Sequence, residues 1–255
     1  MTILNFEKEG FCLTPNLIDK DLIFKIHGEL LRIGMILDPE SKFFDINEMW
    51  NHYRMINRNA AGKIYNAFKY LHAVKKLALS NEIEKILKKE FSLKMPSLVD
   101  INCRIDSAGE DKYLFDWHQD YWFSVCSKNS IVIWIPIVDL TPETGGLEII
   151  GNNQTQGKIF KTKPRTGDYN SYADAIILDE EINQFKSIQI NSMLIGDALI
   201  FKFNVLHKSL PVTSENQSRF TIQLRYADFE DNEFINHQYK PGVVKKDFIQ
   251  YLEKD

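Results

Sequence analysis

Cysteine is scarce in this chain of 255 residues: Cys12, Cys103 and Cys126 are the only three, widely spaced and without a C-x-x-C. An odd number with that spacing argues against a disulfide framework or a zinc ribbon, and fits a reducing cytoplasm. Long apolar runs are missing as well. The longest, Ile131 to Val138, is interrupted by Pro136 and falls far short of the roughly 20 residues that cross a bilayer, so no membrane partner is expected. The opening MTILNFEKEGF has no basic stretch ahead of an apolar one, as a secretory signal would. Nor is there an excess of positive charge: the net charge is −4 and the pI about 5.9, which argues against nucleic acid as a partner. Repeats and low-complexity tracts are absent. What the chain does have is hydrophobic residues, 44% of the total, ample for a large core, and a single domain over residues 1–255 is expected.

The first part, residues 1–96, reads mainly as helix. Between Asp19 and Leu37 the positions Leu22, Ile23, Ile26, Leu30 and Ile33 repeat at helical spacing, and Ile64, Ala67, Phe68, Leu71 and Val74 form a second such stripe. A third helix is expected from Asn81, with Glu84 completing its start signal and Ile83, Ile86 and Leu87 turned inward. From Ser97 the period becomes two. Strands are expected at 98–105, 130–138, 186–195, 198–204 and 219–226, with turns at Thr141-Pro142-Glu143-Thr144-Gly145-Gly146 and Gly151-Asn152-Asn153. Short strands after a block of helices indicate a mainly β protein with flanking helices: a sandwich or jelly roll over 97–230, with an irregular insertion at about 152–180 and a tail at 231–255.

Within this frame His118-Gln119-Asp120 carries the chemistry. Residues two apart on a strand share a face, so His118 and Asp120 project together and Gln119 away from them. His207 follows the apolar run 198–206, and Arg219 opens the strand Arg219-Phe220-Thr221-Ile222-Gln223-Leu224-Arg225-Tyr226. Two imidazoles and one carboxylate can hold Fe(II) on one face and leave positions open, and an arginine can grip a dicarboxylate with two parallel hydrogen bonds. In the last strand Phe220, Ile222, Leu224 and Tyr226 form one face, and Arg219, Thr221, Gln223 and Arg225 the other. Periodicity leaves open whether that polar face meets solvent or lines an internal cavity. An H-x-D triplet alone is a frequent accident in a chain with six histidines.

The order of these residues resembles the phytanoyl-CoA dioxygenase family of Fe(II)/2-oxoglutarate oxygenases, over most of the chain. Trp117-His118-Gln119-Asp120, Ile133-Trp134-Ile135-Pro136, Gly145-Gly146-Leu147-Glu148-Ile149-Ile150, His207-Lys208-Ser209 and Arg219 are similar to that family's successive motifs, and so is the opening Phe6-Glu7-Lys8-Glu9-Gly10-Phe11. One motif departs: where relatives often carry Pro-Gly-Ser-His, this chain has Gly151-Asn152-Asn153-Gln154, which bears on the neighbouring loop and not on the metal ligands. The resemblance implies a double-stranded β-helix of the cupin or jelly-roll type. It implies Fe(II) held by His118, Asp120 and His207, and 2-oxoglutarate as co-substrate, contacted by Arg219, Ser209 and Trp134. It further implies consumption of O2 with release of succinate and CO2, and hydroxylation of a small molecule. Asp120 speaks against halogenation, because halogenating relatives lack that carboxylate.

Gln119, Tyr121, Trp122 and Arg225 are the candidate substrate contacts, although aromatic packing in a β core accounts equally well for Tyr121 and Trp122. Lys158, Lys161, Lys163 and Arg165 gather in the insertion, where a solvated loop is the simpler reading. Two alternatives stand beside the oxygenase: a cupin-like metalloenzyme that does not use 2-oxoglutarate, and a jelly-roll binding protein with a vestigial site. Nothing in the sequence indicates an oligomeric state.

Overall fold

The computed structural model describes residues 6–124, 126–162, 177 and 179–240. Helices dominate the first part: α1 (Phe6–Glu9), α2 (Lys20–Leu37), α3 (Ile46–Ile56), α4 (Arg58–Phe68), α5 (His72–Ala78) and α6 (Asn81–Lys89). Side-chain oxygens of Asp19, Asp45, Asn57 and Ser80 accept the first free N–H groups of α2, α3, α4 and α6. The start of α6 is thus set by Ser80 rather than Asn81. The stripe Ile64 to Val74 is divided between α4 and α5, with Leu71 at the N-terminal boundary of α5. A short strand inside this helical stretch, β1 (Phe11–Thr14), escapes the periodicity reading.

The strands that follow are β2 (Pro96–Asp106), β3 (Ile131–Pro136), β4 (Leu147–Ile150), β5 (Ile188–Ile190), β6 (Ala198–Lys202), β7 (Leu206–Ser209) and β8 (Arg219–Asp228). They form two antiparallel sheets, in the orders β1-β6-β3-β8-β2 and β5-β4-β7. Short helices α7 (Asn152–Thr155), α8 (Asp179–Ile182) and α9 (Asn232–Asn236) complete the described chain. The architecture is a double-stranded β-helix with helices packed outside.

Alternation divides the larger sheet into two layers, with one register shift at Leu98/Asp100 of β2. Ile131, Ile133 and Ile135 of β3, Ile101, Cys103 and Ile105 of β2, and Phe220, Ile222, Leu224 and Tyr226 of β8 pack in one cluster with Ile23, Ile26, Leu30, Trp50, Ile64 and Phe68 of the helices. The opposite face, with Val132, Trp134, Leu199 and Phe201, packs against Leu147 and Ile149 of the smaller sheet. The polar face of β8 therefore lies between the sheets and not in solvent. Its partner β2 presents a matching polar row, and the register sets Asp100 opposite Arg225, Asn102 opposite Gln223, Arg104 opposite Thr221 and Asp106 opposite Arg219. Arg104 and Asp106 are buried, Asn102 is half-buried and Asp100 is exposed, and cross-strand pairing makes the buried charges tolerable.

Candidate metal centre

His207 sits on β7, beyond a tight turn after β6, rather than at the end of one continuous strand. Next to it His118 makes a single bridge: each residue's N–H bonds the other's carbonyl, at 3.0 and 3.1 Å. The side chains at positions 118 and 207 are thereby set side by side, with ring centroids 4.1 Å apart. Gln119 is extended, and Asp120 opens a single 3-10 turn, Asp120–Trp122. Two-residue alternation therefore lasts just long enough to bring His118 and Asp120 together. The donor atoms of His118, Asp120 and His207 all lie within 4.8 Å of one another, and all three residues are buried.

The surroundings prepare each of the three as a ligand. Nδ1 of His118 donates to the Asp116 carbonyl at 2.7 Å, and Nδ1 of His207 to the Val205 carbonyl at 3.0 Å. Both rings are thus fixed with Nε2 as the free lone pair. Burial, reinforced by the neighbouring His207, pushes the His118 imidazole down to about 3, and burial also lowers His207. Burial alone would raise the Asp120 carboxyl, but Arg225 and the two imidazoles hold it below the usual carboxylate range. Arg225 bonds Asp120 Oδ1 at 2.9 Å, Asp100 Oδ2 at 3.0 Å and Gln223 Oε1 at 3.1 Å. One oxygen of Asp120 is spoken for, and Oδ2 is left for a cation. A neutral imidazole pair with a fixed carboxylate is a donor set that suits Fe(II).

These imidazoles give the metal-free protein a distinct acid response. The unfolded chain takes up protons at His118 and His207 below the ordinary value of 6.5, whereas the folded chain does not. Their contribution to stability is complete above about pH 6.5 and declines as pH falls below it, by up to about 1.4 kcal/mol per pH unit for each ring, and for His118 the decline continues toward about 3. Thermal unfolding of metal-free protein across that window should show the slope, and His118→Asn should remove one ring's share. A profile that does not change in the variant would contradict the assignment.

The triad opens on a cavity of about 160 Å³, walled by Asp100, Asn102, Ser124, Ser209, Gln223 and Arg225 on the polar side and Phe115, Phe123, Trp134, Leu147 and Phe201 on the apolar side. Of the residues singled out from sequence, Ser209, Trp134 and Arg225 line this cavity together with the triad. Gln119 does not: its amide bonds the carbonyls of Lys158 and Asn204 and the N–H of Phe160, bracing the loop behind the metal site. Tyr121 turns its hydroxyl to Glu233, and the Trp122 indole N–H bonds the Phe160 carbonyl. The 3-10 turn carries both away from the cavity.

Arg219 is 1% exposed and is absent from the cavity wall. Its guanidinium is engaged by Asp106 Oδ2, at 3.0 and 3.3 Å, and by the carbonyls of Thr144 and Leu210 at 3.1 and 2.8 Å. The turn at Gly145 wraps this head group closely. A Cβ there would lie 2.4 Å from the Pro211 carbonyl and 2.8 Å from Arg219 Nη1, at a φ of +64°. Lys158 pairs with Glu181 at the surface; Lys163 and Arg165 lie outside the described residues. Asp100, Asn102 and Ser124 on the cavity wall, and Asp106 beside Arg219, are residues that the sequence reading passed over, whereas Gln223 was part of the polar face it left open.

The family model for phytanoyl-CoA dioxygenase (PhyH) matches residues 6–221, and within that span lie the triad, the strands that carry it and Arg219. The chain belongs to the phytanoyl-CoA dioxygenase family. Among curated members of known activity, it is 30% identical over 111 residues to 1-deoxypentalenic acid 11-beta-hydroxylase of Streptomyces arenae, covering 43% of this chain and 38% of that protein. It is 24% identical over 119 residues to the enzyme of the same name from Streptomyces exfoliatus, covering 46% and 41%. The matched stretch thus spans about two-fifths of those relatives' length. Solved structures share the fold. The non-heme alpha ketoglutarate dependent carbocyclase SnoK from nogalamycin biosynthesis superposes with a TM-score of 0.60 at 11% identity, covering 94% of this chain and 90% of SnoK. The epimerase SnoN, solved with Fe3+, alpha ketoglutarate and nogalamycin RO, gives 0.58 at 16%, covering 89% and 82%. No helix among the described residues is long and apolar enough to cross a membrane.

Proposed function

We propose that this protein is an Fe(II)- and 2-oxoglutarate-dependent oxygenase that hydroxylates a C–H bond of a small polar molecule. The observation that carries the reading is the buried cluster of His118, Asp120 and His207, its donor atoms within 4.8 Å of one another and both histidine Nδ1 atoms already bonded to carbonyls. Nε2 of each histidine and Oδ2 of Asp120 would hold the metal. Iron and 2-oxoglutarate, when bound, supply the oxidation: O2 takes two electrons from decarboxylation of the co-substrate to succinate and CO2, and two from the substrate C–H bond.

The chain's own residues orient and shield. Phe115, Phe123, Phe201 and Trp134 exclude water around the imidazoles. Arg225 keeps Asp120 ionised and turned. Ser209 offers a hydroxyl on the cavity wall, one residue before the Leu210 carbonyl that Arg219 grips, and the Ser209 hydroxyl and the Arg219 guanidinium would donate to the far carboxylate of 2-oxoglutarate. Arg225 Nε has no hydrogen-bond partner among the described residues, and the residue lines the cavity. A prime substrate with an acceptor oxygen near the reacting carbon would satisfy that donor. The hydroxylase relatives favour hydroxylation over the epimerisation and ring closure named for the structural neighbours.

Anaerobic addition of Fe(II) and 2-oxoglutarate should produce the visible metal-to-ligand charge-transfer band of the chelate. His118→Ala should abolish the band, and Arg219→Ala should mainly weaken 2-oxoglutarate affinity. No band in the native protein would defeat the reading. A metalloenzyme that does not use 2-oxoglutarate is the competing reading, favoured by the engagement of Arg219 with Asp106. Release of succinate coupled to substrate turnover separates the two.

A further inference from the structure

We propose that Asp106 determines how tightly and how selectively the site takes its dicarboxylate co-substrate, by holding Arg219 until the incoming far carboxylate displaces it. This rests on the co-substrate reading above. Asp106 and Arg219 are direct cross-strand partners on β2 and β8. Arg219 gives Asp106 both Nε–H and one Nη2–H, and spends Nη1 on the carbonyls of Thr144 and Leu210. Of five N–H donors one remains, on Nη2. Arginine holds a carboxylate most firmly through two parallel donors, and Arg219 has no second one to offer while Asp106 stays.

Asp106 has somewhere to go. Its other oxygen, Oδ1, is bonded by Arg104, whose guanidinium also reaches the Tyr113 carbonyl and lies over the Phe115 ring at 4.7 Å. Arg104 and Asp106 also form part of the wall of a second cavity, of about 200 Å³, between β2 and the helices α3 and α4, which contribute Trp50, Tyr65 and Asn66. A carboxylate leaving Arg219 keeps Arg104 as its counter-charge and turns toward that cavity, whose wall also carries Asn66 and the paired Arg58 and Glu110. The balance of charge supports the exchange. Arg104, Asp106 and Arg219 together carry one positive charge, which a single additional carboxylate neutralises. Asp106 thus competes with weak anions, and the second carboxylate of a true co-substrate must supply the energy of displacement.

The test compares 2-oxoglutarate with 2-oxobutyrate, which has the same keto-acid head and no far carboxylate, each titrated anaerobically into Fe(II)-loaded protein. Asp106→Asn keeps the shape and one acceptor oxygen but removes the charge. It should tighten 2-oxoglutarate binding by about tenfold, equivalent to about 1.4 kcal/mol, and leave 2-oxobutyrate within about twofold. A purely structural role would weaken both together. Unchanged or weaker 2-oxoglutarate binding in the variant overturns the proposal. Should Asp106→Asn fail to fold, Arg104→Met gives the opposite sign: with its alternative partner gone, Asp106 holds Arg219 more firmly, and only 2-oxoglutarate binding should fall. Equal effects on both ligands there also overturn it. If native protein binds neither keto acid, the oxygenase reading itself fails and takes this proposal with it.

Discussion

Asp120→Ala should leave a folded protein that no longer retains Fe(II) and shows no coupled succinate formation. Loss of a mere outer partner of a metal ligand weakens metal binding by 10–100-fold, so removal of the one anionic ligand should cost at least about a hundredfold. Asp120 is the residue whose oxygens are divided between Arg225 and the open position beside His118 and His207. Alanine removes the charge that offsets a divalent ion, and two neutral imidazoles remain. Equilibrium dialysis with Fe(II) under anaerobic conditions measures the affinity, and circular dichroism verifies the fold. Metal binding within a few-fold of the native protein would show that the triad is not the metal site.

Arg225→Leu should lower stability steeply and disturb the metal site at the same time. Arg225 is 6% exposed and bridges Asp120 to Asp100. Burial would depress its pKa, yet Asp120 and Asp100 hold it above the ordinary arginine value. Removing one partner of a buried ion pair costs about 3–5 kcal/mol, because a charge is left without compensation. In a protein of this size that corresponds to a fall in Tm of roughly 10 °C. Added Fe(II) should restore part of the loss, since the cation partly replaces the guanidinium beside Asp120. Arg225→Lys, which keeps the charge without the planar fork, should recover less than half of it. A Leu variant as stable as the native protein, with unaltered metal affinity, would assign Arg225 to solvent-like packing only.

How much of this was legible in the sequence follows from what periodicity can carry. The alternation of β8 separated Arg219, Thr221, Gln223 and Arg225 from Phe220, Ile222, Leu224 and Tyr226, but a period of two names faces without saying which is inside. The helical layer decided that, by covering the apolar row. The same signal was present in Asp100, Asn102, Arg104 and Asp106, alternating with Ile101, Cys103 and Ile105, and would have pointed to a second strand with one polar face. What no local pattern holds is register. That Asp106 stands opposite Arg219, and Asp100 opposite Arg225, depends on how two strands more than a hundred residues apart align. Gln119, Tyr121 and Trp122 lie off the cavity wall for a related reason, since extended geometry ends at Asp120 and alternation says nothing about the turn that follows. β1 has four residues beside a helix, too few to show a period.

The polar rows of β2 and β8 have one more consequence, for the order of events in the life of the protein. Arg104, Arg219 and Arg225 meet Asp106 and Asp120 inside the barrel, with the half-exposed Asp100 as the third anion, and burial lowers both triad imidazoles. The interior is its own counter-ion. Small metal-dependent domains stay unfolded until their ion arrives, because only the ion compensates their ligands. Here that compensation is built into the polypeptide, so the barrel is expected to assemble before any iron is loaded. A chelator should then remove bound iron without unfolding the chain.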